Sequence, residues 1–103
     1  MADNVNHPAH YESSCSIECI DSMLIAFGRA AVIHFCECNA YKYIWRYKNK
    51  NGMEDLEKAK WYVEKAFTLV DDYTPPEGEL ETLFNLKEIV TKLIAKEKKN
   101  DQS

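Results

Sequence analysis

The N-terminal segment VNHPAHY, residues 5–11, contains side chains that could do chemistry. His7, His10 and Tyr11 lie within five residues on a chain bent by Pro8. Imidazoles can donate hydrogen bonds to phosphate oxygens, and a phenol can stack on a base or hydrogen-bond to it. The segment is a candidate wall of a base and phosphate pocket, although a surface arm with chance histidines would look the same. Two histidines without a third ligand do not indicate a metal, and we predict no metal site.

The segment NAYKYIWRYKNK, residues 39–50, alternates cations with aromatic side chains. Lys42 and Arg46 are four residues apart, so on a helix they share a face and can point at one anion. Arg46 adds a planar fork of donors that suits phosphate. The aromatic residues among the cations, which could hold a base, are Tyr41, Tyr43, Trp45 and Tyr47. An amphipathic helix with a solvated basic side would give the same pattern, and Tyr43 and Tyr47 belong to the core in either interpretation.

Two further groups of charged residues recur at helical spacing. Asp55, Lys58 and Tyr62 form one progression, in which Lys58 could contact a ligand and Asp55 could orient a basic side chain. Surface ion pairing, worth about 0–1 kcal/mol, explains these residues equally well. Glu18 and Asp21 are three residues apart and could act as an acid/base or metal-binding pair, or could simply favour a helix N-terminus.

The elements that must position these residues are helices. Apolar residues recur at spacings of three and four, and β-strand alternation is nearly absent. The pattern predicts helices over about residues 14–28, 30–48, 53–72 and 78–98, separated by Gly28, NKNG and TPPEG. The first dozen residues are predicted to form an ordered, irregular arm laid across the helices. The predicted fold is therefore all-α, a small bundle of about four helices.

The sequence divides into three parts. Residues 1–73 form the predicted core with its arm, 74–78 a proline-rich linker, and 79–103 a C-terminal amphipathic helix. The apolar residues of that helix fall at near-heptad spacing, so it packs either on its own chain or on a second subunit. A chain of 103 residues, 46% of them hydrophobic, has more apolar surface than one compact monomer easily hides. We therefore expect a homo-oligomer.

Charge and composition exclude several classes of protein. A net charge of -4 argues against general binding to a nucleic-acid polymer. The basic segment around Lys42 and Arg46 suits a compact anionic ligand better than a long polyanion. Neither a signal peptide nor an apolar run of about 18–20 residues is legible, which predicts a cytoplasmic protein without a membrane partner.

The four cysteines, Cys15, Cys19, Cys36 and Cys38, have CxxxC and CxC spacings. Zinc sites usually use CxxC, so these residues are predicted to be free, partly buried thiols in a reducing compartment. His34 lies close to Cys36 in the sequence, but their side chains diverge on a helix, and no Cys-His nucleophile is predicted there.

Four segments together resemble a family of small phage and prophage proteins that includes a phage nucleotide kinase. They are VNHPAHY (5–11), ECID (18–21), FCECNAYKYIWRYKNKNG (35–52) and DLEKAKWYVEKA (55–66). The resemblance covers roughly residues 4–67 and depends on the order of its HPxHY, NAxKYxxR and DLxKAxxY motifs. The ligand-binding residues that it implies are His7, His10, Tyr11, Glu18, Asn39, Lys42, Tyr43, Arg46, Lys58 and Tyr62. Pro8 and Asp55 also match the pattern, whereas Cys38 stands where the family usually has glycine.

The resemblance implies a phage-type nucleotide-binding protein of the host cytoplasm and leaves three functions open. The chain could hold a nucleotide, such as a cyclic nucleotide signal of bacterial anti-phage defence, and remove it from circulation. It could be a nucleoside monophosphate kinase, although the sequence lacks a GxxxxGK(S/T) phosphate loop. It could instead inhibit a host enzyme through its acidic surface or final helix. No cofactor is implied for certain, but Mg²⁺ could accompany a nucleotide.

Overall fold

Four α-helices form the part of the chain that the structure, a computed structural model, describes, namely residues 19–70, 75 and 77–102. In chain order they are α1 (Cys19–Phe27), α2 (Arg29–Arg46), α3 (Met53–Leu69) and α4 (Glu79–Gln102). A short 3-10 helix, Tyr47–Asn49, follows α2. No strand occurs within these residues, and the predicted all-α fold is confirmed. The predicted N-terminal arm lies outside the described residues.

Glycine turns set two of the helix boundaries. Gly28 has a φ of 87° and separates α1 from α2, and its N–H donates to the carbonyl of Leu24 at 3.0 Å. Gly52 has a φ of 58° and precedes α3, and its N–H donates to the carbonyl of Tyr47 at 2.8 Å. Side chains with a Cβ rarely adopt such φ values. The helix predicted over 30–48 ends as an α-helix two residues early because the chain tightens into the 3-10 helix.

The core lies mainly between α2 and α3. The buried apolar residues at this contact are Val32, Ile33, Cys36 and Ala40 on α2 and Leu56, Ala59, Val63, Ala66 and Leu69 on α3. The sequence pattern predicts an inner stripe of α3 made of Leu56, Ala59, Val63, Ala66, Phe67 and Val70. Its first four members are buried, as predicted, and Phe67 and Val70 are partly buried against the core. Alanine at three of these positions leaves room for close approach of the two helices.

The last helix, α4, packs on its own chain. Leu83, Leu86 and Val90 are buried in the same core cluster as α2 and α3, whereas Leu80 at the start of α4 is 40% exposed. Of the two arrangements that the sequence left open for this helix, packing on its own chain is the one that the structure contains. No helix among the described residues, α4 included, combines the length and apolar character needed to cross a bilayer.

The first helix, α1, is only partly covered. It has nine residues and packs mainly against α2, with Ile20 buried and Leu24 half-buried. Phe27, at its end, is 72% exposed, and Ile25 is 79% exposed. Apolar spacing places Ile20, Leu24 and Phe27 on one face of α1, but among the described residues α2 covers only the earlier part of that face.

The described cysteines Cys19, Cys36 and Cys38 form no disulfide; Cys36 is buried, whereas Cys19 and Cys38 are exposed and not partly buried as predicted. Cys36 is fully buried, and this burial raises the pKa of its thiol to about 12. The thiol is therefore neutral at physiological pH and acts as a small apolar core side chain. Cys15 lies outside the described residues.

Candidate functional site

A buried carboxylate, Asp55, joins the end of α2 to the start of α3. Its side chain has no exposed surface. Arg46 donates to it twice, from Nε to Oδ2 and from Nη2 to Oδ1, both at 3.3 Å. The backbone N–H of Asn51 donates to Oδ2 at 3.1 Å, and the Asn51 side-chain amide donates to Oδ1 at 3.4 Å. Both carboxylate oxygens are thus satisfied by groups from α2 and the intervening turn.

The pair of Asp55 and Arg46 is held in its ionised form. Burial alone would raise the pKa of Asp55, but the hydrogen bonds from Arg46 and Asn51 outweigh it and hold the pKa below its ordinary value. The hydrogen bond to Asp55 in turn raises the pKa of Arg46. Asp55 therefore orients a basic side chain, as its position in the sequence suggested, and its oxygens are already occupied by donors.

Three cations surround the ring of Tyr43, and we call Lys42, Arg46 and Lys58 with this ring the Tyr43 cation cluster. The Nζ atom of Lys42 lies 4.4 Å from the ring centroid, the Cζ atom of Arg46 4.8 Å, and the Nζ atom of Lys58 5.6 Å. Tyr43 also stacks on Tyr62, with the centroids 6.0 Å apart and the planes 15° apart. Each cation lies within the distance at which a ring quadrupole attracts it.

The cations of the cluster differ in how far they are neutralised. The Arg46 side chain is 33% exposed and pairs with buried Asp55, while Lys58 is 25% exposed and lies 3.7 Å from half-exposed Glu54. Lys42 is exposed and has no carboxylate partner among the described residues. The cluster therefore presents net positive charge to solvent at the contact of α2 and α3.

The other predicted residues of α2 fall into an inner and an outer group. Tyr47 is buried and Tyr43 is half-buried against the core, as predicted. Tyr41 and Trp45 are 59% and 79% exposed and remain available for stacking. Asn39 lies one turn before Tyr43, and its amide donates to the Phe35 carbonyl at 2.9 Å.

The structure thus brings five of the predicted ligand-binding residues together around one ring: Lys42, Tyr43, Arg46, Lys58 and Tyr62. Of the other five, Asn39 lies one turn before Tyr43, and His7, His10, Tyr11 and Glu18 lie outside the described residues. The opposing wall that the sequence predicted from the N-terminal segment therefore stays a prediction. Asp21, the partner suggested for Glu18, is exposed on α1.

A second polar cluster joins α2 to the start of α4. The Nδ1 atom of His34 lies 3.1 Å from Oε1 of Glu37 and 3.7 Å from Oε1 of Glu79. The two carboxylate side chains are 11% and 12% exposed, and that of His34 is 59% exposed. Burial, together with the neighbouring Glu79 carboxylate, raises the pKa of Glu37 to about 7. Two acidic groups therefore share a confined space beside one imidazole.

The sequence contains only part of the signal for this second cluster. His34 and Glu37 are three residues apart on a predicted helix, so their proximity is legible from spacing. Glu79 lies more than 40 residues later in the sequence and reaches them only because Leu83 and Leu86 anchor α4 in the core. The proximity of Glu79 to His34 and Glu37 therefore depends on tertiary packing and could not be predicted from local spacing.

Residues 5–64 match a family described as a protein of unknown function, DUF3310. Neither the curated proteins nor the solved structures include a significant match to the chain. The matched range contains the segments VNHPAHY (5–11) and NAYKYIWRYKNK (39–50), all of α2 and most of α3. It ends before α4. Because the match spans more than half of the sequence, the chain belongs to the DUF3310 family.

Proposed function

We propose that the Tyr43 cation cluster binds the phosphate of a nucleotide and that the protein acts by holding this ligand. The observation that carries the proposal is the convergence of three cations on one ring within 5.6 Å of its centroid. A compact site of this kind suits a phosphate group, which accepts hydrogen bonds from several donors at once. The overall acidity of the chain disfavours a long polyanion in the same place.

Arg46 can bind a second anion while it remains paired with Asp55. Its Nε and Nη2 atoms donate to the carboxylate, whereas its Nη1 group makes no hydrogen bond among the described residues. A guanidinium has five N–H donors in a fixed plane, so one edge can hold Asp55 while the other faces a phosphate. The buried carboxylate thus fixes the arginine in advance and lowers the entropy lost on binding.

Trp45 is the best-placed side chain for the base. It is 79% exposed and lies three residues after Lys42, so it shares the adjoining surface of α2. An exposed indole beside cationic side chains can stack on any base, and this supports nucleotide binding without assigning the base. Tyr43 does not serve this purpose, because its ring already contacts Tyr62 and the three cations.

Binding of the nucleotide is favoured over its enzymatic conversion. Asp55 is the most buried carboxylate near the cluster, and its oxygens are occupied by Arg46 and Asn51. A general base or a magnesium ligand needs an available oxygen, so Asp55 is a positioning residue here. The nucleoside monophosphate kinase suggested by the resemblance therefore remains the alternative, and any Mg²⁺ would arrive with the nucleotide.

The biological setting is part of the same proposal. The resemblance to small phage proteins supports a role in the cytoplasm of an infected cell, where the chain would remove a nucleotide signal, cyclic or linear, from anti-phage defence. Exposed Ile25 and Phe27 on α1 support a homo-oligomer, because apolar side chains at such exposure commonly lie at interfaces.

Alanine at Lys42 or Lys58 should weaken binding of a phosphorylated nucleotide. Each change is expected to raise Kd roughly 10- to 100-fold, because a hydrogen bond between charged groups contributes about 1.5–3 kcal/mol. Isothermal titration calorimetry with nucleoside monophosphates, triphosphates and cyclic dinucleotides measures the Kd of the parent chain and of each variant. Lys96→Ala, at an exposed lysine of α4, is the matched control and should change Kd less than about twofold.

The chemical state of the nucleotide after binding distinguishes a binding protein from a nucleoside monophosphate kinase. Nucleotide recovered unchanged after denaturation of the complex supports binding alone, whereas recovered nucleotide with an added phosphate shows a kinase. The proposal fails if no nucleotide in the panel binds, or if Lys96→Ala weakens binding as much as Lys42→Ala does.

A further inference from the structure

We propose that His34, Glu37 and Glu79 form a binding site for one divalent transition-metal ion of the Zn²⁺ class, which ties the start of α4 to α2. Each residue offers one ligand atom, and the three atoms all lie within 4.8 Å of one another. The site is separate from the Tyr43 cation cluster, and the proposal does not depend on nucleotide binding.

The spacing of the ligand atoms fits a metal. Zn²⁺ binds histidine nitrogen and carboxylate oxygen at about 2.0–2.2 Å, so tetrahedral geometry places neighbouring ligand atoms about 3.4 Å apart. The observed separations from His34 Nδ1 are 3.1 Å to Glu37 and 3.7 Å to Glu79. A small rotation of these side chains brings the three atoms around one ion.

Within the part of the chain that the structure describes, the two carboxylates have no permanently charged cation beside them. Neither Glu37 nor Glu79 pairs with a lysine or arginine among the described residues, and His34 is the one basic group beside them. The Oε2 atom of Glu37 and the Oε1 atom of Glu79 are buried and accept no hydrogen bond from those residues. Buried acceptors without donors are costly. A cation bound at Oε1 of Glu79 would satisfy that oxygen directly, and its charge would also offset that of the neighbouring Glu37 carboxylate.

The ligand set selects the class of ion. One imidazole nitrogen with two carboxylate oxygens suits Zn²⁺ and its neighbours in the first transition row, whereas Mg²⁺ prefers oxygen ligands and keeps most of its waters. His34 is 59% exposed, so an ion at this place is reachable from solvent and can take water as its fourth ligand. Because Glu79 begins α4 while the other two ligands lie on α2, the ion would bridge the two helices.

Titration of Zn²⁺ into the full chain after treatment with a chelator tests the site. We expect one Zn²⁺ per chain by calorimetry, together with a rise in the melting temperature followed by circular dichroism. Glu37→Gln and Glu79→Gln keep the side-chain shape but remove a ligand charge, and each should weaken Zn²⁺ binding roughly tenfold or more. Both variants should retain the helical spectrum of the parent chain.

Three controls exclude other ligands for Zn²⁺. Glu88→Gln changes an exposed carboxylate of α4, Cys38→Ser removes the exposed thiol beside Glu37, and His7→Ala with His10→Ala removes the N-terminal imidazoles. Each should leave the affinity within about twofold. The site is overturned if the parent chain shows no saturable Zn²⁺ binding, if either glutamine variant binds as the parent does, or if a control variant loses the ion.

Discussion

Replacing Arg46 with methionine is expected to lower the free energy of unfolding by about 3–5 kcal/mol, because it leaves a buried charge without its partner. Methionine retains the length of the side chain but donates no hydrogen bond. Asp55, which has no exposed surface, would then keep only the two donors of Asn51. Chemical denaturation at pH 7, followed by circular dichroism, measures the loss.

The cost of Arg46→Met should depend on pH. In the parent chain the pKa of Asp55 is held below its ordinary value, so the pair contributes stability above the unfolded-state pKa of about 3.9 and loses it as the pH falls through the folded-state pKa. In the variant, burial persists without the arginine, and the pKa of Asp55 rises. A protonated carboxyl needs no counter-charge, so the difference between variant and parent should shrink between pH 7 and pH 4.

The matched control is Lys58→Met. Lys58 also belongs to the Tyr43 cation cluster, but its carboxylate partner Glu54 is half-exposed, so its replacement should cost no more than about 1 kcal/mol. Arg46→Met at a cost as small as this control, or at the same cost at pH 7 and pH 4, would contradict the account of Asp55 as a buried, ionised carboxylate.

The periodic parts of the fold could be predicted from the sequence. The stripe of α3 from Leu56 to Ala66 is buried because apolar residues at spacings of three and four define one face of a helix wherever that helix packs. The limits of this rule appear at α1, where Phe27 fits the same pattern but is exposed. Periodicity identifies the apolar face of a helix and carries no information on how much of that face a neighbour covers.

The candidate site could be predicted in part. Lys42 and Arg46 share a face by spacing alone, but the sequence could not show that Lys58 joins them over the ring of Tyr43, since this needs the pairing of α2 with α3. The alternating aromatic residues were a single group in the sequence, and packing divides them into inner tyrosines and exposed Trp45. Local spacing therefore predicts that Lys42 and Arg46 share a helix face, whereas the contact of α2 with α3 determines which side chains lie beside them.

Leu83→Ala on α4 is expected to lower the free energy of unfolding by about 2–5 kcal/mol, through lost burial and the cavity that it leaves. Leu83 has no exposed surface and lies in the core cluster shared with α2 and α3. Leu80→Ala, on the same helix at a position that is 40% exposed, is the matched control and should cost less than about 1 kcal/mol. Urea denaturation of the two variants and the parent chain gives both values.

Protein concentration separates the two arrangements of α4. If Leu83 is buried within one chain, the loss is the same at low and high protein concentration, whereas a residue of a subunit interface gives a loss that varies with concentration. Equal costs for Leu83→Ala and Leu80→Ala would contradict packing of α4 on its own chain.

Deleting residues 79–103 would remove Leu83, Leu86 and Val90 from the core and destabilise the remaining helices. A role of α4 in inhibiting a host enzyme is therefore tested better at Phe84, which is 55% exposed and touches the α2–α3–α4 core through the ring of Phe67, 5.2 Å away between centroids. Alanine there leaves Leu83, Leu86 and Val90 in place.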